Sequence, residues 1–221
     1  MMAIADMVIK GESAADIGTD HGYIPIYLLS EKICPSVILT DIAEGPIARA
    51  KANLDKYGLK ADLRVGPGLE VISESEVSTV IIAGMGGETI MDILGKDPIK
   101  SHSFKRIILQ PRTFAGELRT WLTENGFRFT DYRICREKDL LCEVFAVEPG
   151  NAGYTESENI SRFLLEKGDP LLIEYLQRRI EGKENILSQL KNAKKEDKTL
   201  VLKFENELRE LKDALELKRK V

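Results

Sequence analysis

Residues 16–22 read Asp16-Ile17-Gly18-Thr19-Asp20-His21-Gly22 and follow a short apolar run. A glycine-rich turn between a first strand and a first helix lets backbone approach a nucleotide-like ligand closely. A dinucleotide fingerprint would set glycine at positions 18, 20 and 23, but position 20 is Asp and position 23 is Tyr. An acid pointing into this loop repels a pyrophosphate, because two like charges in contact at low dielectric cost several kcal/mol. The same acid suits a ligand carrying an ammonium group, such as the methionine end of S-adenosylmethionine. Asp16, Gly18, Asp20 and His21 are the candidate residues for that end.

Asp41 closes the next apolar run, 25 residues after Asp16. An acid placed there can take both hydroxyls of a ribose through charge-assisted hydrogen bonds; the plainer alternative is that it caps the following helix. Gly66-Pro67-Gly68-Leu69 offers backbone that borders an adenine ring. Ala83-Gly84-Met85-Gly86-Gly87 follows the most apolar run of the chain, and its glycines leave space for a flat substrate beside a sulfonium methyl. The alternative there is a tight structural turn. Of the two histidines, His21 lies in the first loop and His102 in a polar stretch that reads as surface. No metal-binding cluster surrounds either, and no Gly-x-Ser-x-Gly elbow or Ser/His/Asp order supports hydrolysis.

Positioning these loops requires alternating strands and helices. The segments 13–18, 36–41, 61–65, 79–83 and 106–109 read as strands, and 24–32, 45–57, 90–94 and 115–125 as helical. Two strands, 128–135 and 141–148, follow with a polar turn between them. Strict alternation ending in a strand pair predicts a doubly wound, Rossmann-like α/β sheet with an antiparallel element at its end. Ligands of such sheets bind outside the carboxyl ends of the strands, where the loops above fall.

The chain has 221 residues, 43% hydrophobic and 31% charged, as expected for a globular protein and not for a disordered one. No apolar run approaches the roughly 20 residues of a membrane helix, and the start lacks the pattern of a signal peptide. Three cysteines at wide spacing without a CxxC pair argue against a disulfide framework or zinc site and for a reducing cytoplasm. The net charge of −4 divides unevenly: residues 161–221 carry 15 Lys and Arg against 12 Asp and Glu, leaving the body acidic. Beyond 149–153 two apolar stripes at helical spacing, Leu171 to Leu190 and Leu200 to Leu215, flank the polar turn 192–198. They predict an antiparallel helical hairpin, coiled-coil-like, in a domain spanning 154–221 after a first domain of 1–153. Its stripes are packing surface, and its basic outer face could meet a polyanion.

The blocks ADIGTDHGYIPIYLL (15–29), TDIAEGPIARAKANL (40–54), VIIAGMGGETIMDIL (80–94), IILQP (107–111), LRTWLTENGF (118–127) and VEPG (147–150) together resemble the bacterial tRNA adenine(22)-N1-methyltransferases, the TrmK family of class I S-adenosylmethionine-dependent enzymes. The resemblance covers nearly all of 3–153 in order, and the helical tail is similar in kind to the family's C-terminal coiled-coil domain. It implies that Asp16, Gly18, Asp20 and His21 form the methionine-end loop and that Asp41 and Ile42 hold the ribose and flank the adenine. It further implies that Ala83, Gly84 and Met85 line the gap where the target base meets the methyl. Gly66 completes the cofactor set. Pro67 stands where relatives often carry Asp, Cys142 stands where Tyr is commoner, and the chain begins inside the family's first helix.

The implied reaction is in-line attack of adenine N1 on the sulfonium methyl. N1 has a free lone pair in the neutral base, so no general base is required, and Gly84, Met85 and Gln110 act by positioning. N1 lies on the Watson–Crick edge, so a target paired through that edge must be extruded before reaction. Arg112, Arg178, Arg179, Lys194, Lys195 and Lys198 are the candidate phosphate contacts. The expectation is a cytoplasmic tRNA-binding enzyme, monomeric or weakly dimeric, needing no metal. Two alternatives stay open: a methyltransferase acting on another RNA or a small molecule, and a non-catalytic helical interaction module on a vestigial Rossmann domain.

Overall fold

The run Thr79-Val80-Ile81-Ile82 is buried on both faces, with Val80 and Ile82 on one side of the sheet and Ile81 on the other. A strand so placed must be central and covered by two layers. In the computed structural model, which describes residues 1–193 and 197–219, it is β4 (Thr79–Met85) of a seven-stranded sheet. The others are β1 (Ala14–Ile17), β2 (Val37–Asp41), β3 (Asp62–Val65), β5 (Arg106–Pro111), β6 (Phe127–Glu137) and β7 (Leu140–Pro149). Their order is β3-β2-β1-β4-β5-β7-β6. The first five are parallel, and β7 inserts antiparallel between β5 and β6. The expected strand pair is therefore a hairpin whose second strand, not its first, docks on the parallel sheet.

One face is covered by α1 (Met2–Met7), α2 (Tyr23–Ser30) and α3 (Glu44–Lys56), which contribute Ile4, Leu28, Ala50 and Leu54 to its core. The other carries α4 (Gly87–Gly95), α6 (Ala115–Glu124) and α7 (Arg162–Lys167), with α5 (Pro98–Ser103) beside α4. The helical hairpin is α8 (Leu172–Lys191) and α9 (Lys198–Arg219), packed on each other. Its root is not a separate body. Tyr175, Leu176, Ile180, Leu211 and Leu215 share one continuous core with Phe129, Tyr132 and Phe145 of the β6–β7 face.

A buried polar knot secures that root. Glu143 on β7, 8% exposed, accepts from the Arg119 guanidinium and from the hydroxyls of Tyr132 and Tyr175. Arg119 also donates to the carbonyls of Ser157 and Glu158, between β7 and α7. Burial opposes ionisation of Glu143, and Arg119 with the two hydroxyls overcomes it, holding the carboxyl below its usual range. Helix α1 is the N-terminal helix implied by the resemblance, and two helices, α5 and α7, lie outside the expected set. In α5, Asp97 caps the N-terminus by accepting from Lys100 N at 3.0 Å, with Pro98 in the first turn. His102 consequently does more than decorate the surface: its ring stacks on Phe127 at 4.4 Å and its nitrogens meet the carbonyls of Pro98 and Asn125.

Candidate active site

Buried β1 ends in Ile17, and the chain must turn sharply there to enter α2. Gly18 makes that turn with φ +76°, and a Cβ at this position would run into the thioether methyl of Met85. Close approach of the first and fourth loops thus depends on a residue without a side chain. Asp16, one residue before the strand's end, is buried, and burial pushes its carboxyl up to about 6, the Thr19 hydroxyl pulling weakly the other way.

Asp20 is exposed and already partnered. It pairs with the Arg49 guanidinium, with Nε at 3.1 Å, and lies 3.2 Å from His21 Nε2. These partners, Arg49 chiefly, hold its carboxyl below the usual range. Its charge is therefore shared with α3, and Asp16 is the buried acid of the cavity lining, with no ion pair of its own among the described residues.

That cavity, of about 410 Å³, is lined by Asp16, Gly18, Asp20, His21, Ala83, Gly84, Gln110 and Arg112, with Cys135, Glu137 and Cys142 from the hairpin strands. Its size falls within the roughly 300–1,000 Å³ of small-ligand pockets. Asp41, Ile42 and Gly66 do not line it; they continue along the same edge of the sheet. Parallel register sets Asp41 beside Val65, and Gly66 N donates to the Asp41 carbonyl at 2.8 Å. One carboxylate oxygen of Asp41 accepts from Ala43 N at 2.9 Å, a local turn contact; the N-cap of α3 is Ala43, which has no side-chain capping bond, so Asp41 does not cap that helix. The other oxygen has no hydrogen-bond donor among the described residues. Ile42 and Val65 on either side are exposed.

At Gly84 the pairing of β4 with β5 shifts register, a bulge that takes this residue out of the ladder. The Gln110 side-chain oxygen receives its N–H at 2.9 Å. Two further bonds join the loops: Arg112 N to Met85 O and Gly87 N to Thr113 O, both 2.8 Å. The last glycines of the motif therefore make room for backbone, since a Cβ on Gly87 would lie 2.5 Å from the Phe114 carbonyl. The open side of Gly84 faces the Arg112 guanidinium.

The candidate RNA contacts separate. Arg112 is exposed and borders both this cavity and a larger one, about 900 Å³, between the sheet end and the hairpin. Arg178 is engaged by the Asp139 carbonyl and by Glu174 at 2.9 Å. Arg179 lies over the Tyr175 ring at 5.6 Å and reaches its hydroxyl at 3.2 Å. Lys198 is exposed at the start of α9, and Lys194 and Lys195 lie outside the described residues. Phe114, Lys183 and Tyr175 border the larger cavity without having been expected. Docking of the hairpin brings Lys183 and Tyr175 there, and no local pattern announces it.

A strand order of 3-2-1-4-5-7-6 with an acid at the end of each of the first two strands defines a Rossmann-like methyltransferase. The family model described as "Methyltransferase domain" matches residues 1–145. Over 232 residues the chain is 30% identical to the tRNA (adenine(22)-N(1))-methyltransferase of Bacillus subtilis, a match covering 100% of this chain and 94% of the relative. It superposes on the crystal structure of Streptococcus pneumoniae Sp1610, described as a putative tRNA (m1A22) methyltransferase, with a TM-score of 0.87 and 30% identity over 97% of each chain. The same protein solved with S-adenosyl-L-methionine gives a TM-score of 0.84 at 29% identity, again over 97% of each chain. The chain belongs to the tRNA (adenine(22)-N(1))-methyltransferase family.

Proposed function

We propose that this protein transfers a methyl group from S-adenosylmethionine to N1 of adenine 22 in tRNA. The observation that carries the reading is the buried Asp16, facing a cavity of cofactor size beside the bulged Gly84 that Gln110 holds in place. The cofactor supplies an electrophilic methyl when bound. Asp16 takes its ammonium group, because a buried carboxylate without its own cation gains most from one. Asp41 has a carboxylate oxygen left for ribose hydroxyls, and the exposed Ile42 and Val65 suit the faces of a flat ring. Gly66 borders the same ledge.

Ala83, Gly84, Met85 and Gln110 act by positioning. Holding the two reactants at attack distance is worth roughly 7–11 kcal/mol, enough to dispense with a general base for a nitrogen that already has its lone pair. Residues 1–153 do this work, and residues 154–221 grip the tRNA through Lys194, Lys195 and Lys198, aided by Arg112 of the first domain at the cavity. Arg178 and Arg179 join them only by exchanging their present partners for phosphate. The root of the apolar stripes, Tyr175, Leu176, Ile180, Leu211 and Leu215, is buried in the chain's own core, which supports a monomer or weak dimer. Among the described residues no helix is long and apolar enough to cross a membrane, and the three cysteines are free, which suits a reducing cytoplasm.

The test is substrate dependence. Unmodified tRNA with adenine at position 22 takes labelled methyl; the same tRNA with guanine there, or free adenosine, takes none. Equal labelling of free adenosine would favour the small-molecule reading.

A further inference from the structure

Phe114 has a backbone conformation that few phenylalanines adopt, φ 54° and ψ 35°, at the N-cap of α6, where its side chain makes no capping bond. A bulky residue in this left-handed region costs roughly 1–2 kcal/mol. The surrounding structure enforces it. Gly87 N donates to Thr113 O, Arg112 N donates to Met85 O, and Leu118 N donates to the Phe114 carbonyl at 3.0 Å. Gly87 packs so close that a Cβ there would lie 2.5 Å from that carbonyl.

These contacts tie the segment leading to residue 114 to Met85 and Gly87 of the fourth loop. Yet Phe114 is outside the buried core: it is 47% exposed and borders the larger cavity, beside Arg112 and Gln110, which that cavity shares with the cofactor site. A strained, fixed, half-exposed aromatic at the mouth of a reaction cavity is a poor use of a core residue and a good use of a stacking surface. Bases extruded from RNA are held between aromatic or apolar side chains.

We propose that Phe114 is a substrate-positioning residue, its ring stacking on the extruded adenine or the base next to it while Arg112 meets the flanking phosphate. The assignment rests on the methyltransferase reading above and adds a residue to it. The ring is the active element, so its aromatic face, and not its bulk, sets the effect of substitution.

The full-length protein with Phe114→Leu and Phe114→Trp tests this, neither change bringing a β-branch to the left-handed position. Phe114→Leu lowers kcat/KM for tRNA by about tenfold or more, the usual worth of one base stacked on an aromatic ring. Phe114→Trp keeps most of it. Both retain wild-type affinity for S-adenosylmethionine and the wild-type thermal midpoint, which shows that they fold. A tRNA carrying 2-aminopurine at position 22 gives a second readout: its fluorescence is quenched on wild type and brightens on Phe114→Leu. Wild-type turnover and quenching in Phe114→Leu would overturn the assignment, as would Phe114→Trp no better than Phe114→Leu. No methylation of tRNA by the wild type would overturn the underlying reading and this one with it.

Discussion

The Gln110 side chain accepts, at 2.9 Å, the N–H of Gly84 that the bulge in β4 removes from the sheet ladder. A side chain on β5 thereby fixes the shape of the loop on β4 where the proposed methyl transfer takes place. Gln110→Leu leaves that N–H without an acceptor, which costs about 1–3 kcal/mol, and lets the loop move. The expected result is a lower thermal midpoint with kcat reduced more than cofactor affinity. Gln110→Glu keeps an acceptor in place and should hold the midpoint nearer to wild type, a difference that thermal scans and single-turnover kinetics read directly.

Asp16 supplies a pH dependence. Its folded-state value of about 6 lies above the ordinary 3.8, so the folded protein holds this proton more tightly than the unfolded chain. Ionisation therefore costs stability as pH rises from near 3.8 through about 6, to a limit of about 3 kcal/mol. Asp16→Asn should melt higher than wild type at pH 8, with about half of the advantage gone at pH 5 and most of it at pH 4. Binding of the cofactor ammonium runs the opposite way, strengthening as pH climbs through 6 in wild type and remaining weak and flat in Asp16→Asn. Calorimetric titration across that range checks the sign.

The Arg119–Glu143 pair at the hairpin root is nearly sealed from water. Removing one member of such a pair strands the other, at about 3–5 kcal/mol. Glu143→Ala should unfold at markedly lower denaturant than wild type. Replacing both residues by apolar ones of similar volume should cost less than either single change, and a denaturant series on the four proteins decides it.

Excising the hairpin is a poor probe of RNA binding, because Tyr175, Leu176 and Leu211 belong to the core of the sheet. Charge reversal of Lys194, Lys195 and Lys198 leaves that core intact. Every phosphate that is no longer neutralised should reduce the salt slope of tRNA affinity by about 0.7–0.9, with cofactor affinity unchanged. Filter binding at several salt concentrations gives the slope.

Where apolar runs stop at a glycine or an acid, as at Ile17-Gly18 and Thr40-Asp41, strand ends and their loops were legible from the sequence alone. The loops proposed to hold the cofactor were picked out with them, because the chemistry that suggested them is local. What depended on contacts distant in the chain was not legible. The insertion of β7 between β5 and β6 is settled by which hairpin strand fits the face, since both carry similar apolar patterns. The occupation of Asp20 by Arg49 needs α3 to lie across the first loop. Arg178 and Arg179 read as free cations until docking gave them partners. Helix α5 was hidden in a polar stretch, although Asp97 before Pro98 is a start signal. Phe114 carries no local sign of its left-handed backbone, which lies where Gly87 packs against the Thr113 and Phe114 carbonyls.

Transfer of labelled methyl from S-adenosylmethionine to unmodified tRNA, with the modified base mapped, tests the central claim most directly when wild type is run beside Asp41→Ala. The account predicts 1-methyladenine at position 22 with wild type, and its loss in Asp41→Ala alongside weakened cofactor binding. Cofactor bound without any transfer to that adenine, or full transfer by Asp41→Ala, would contradict it.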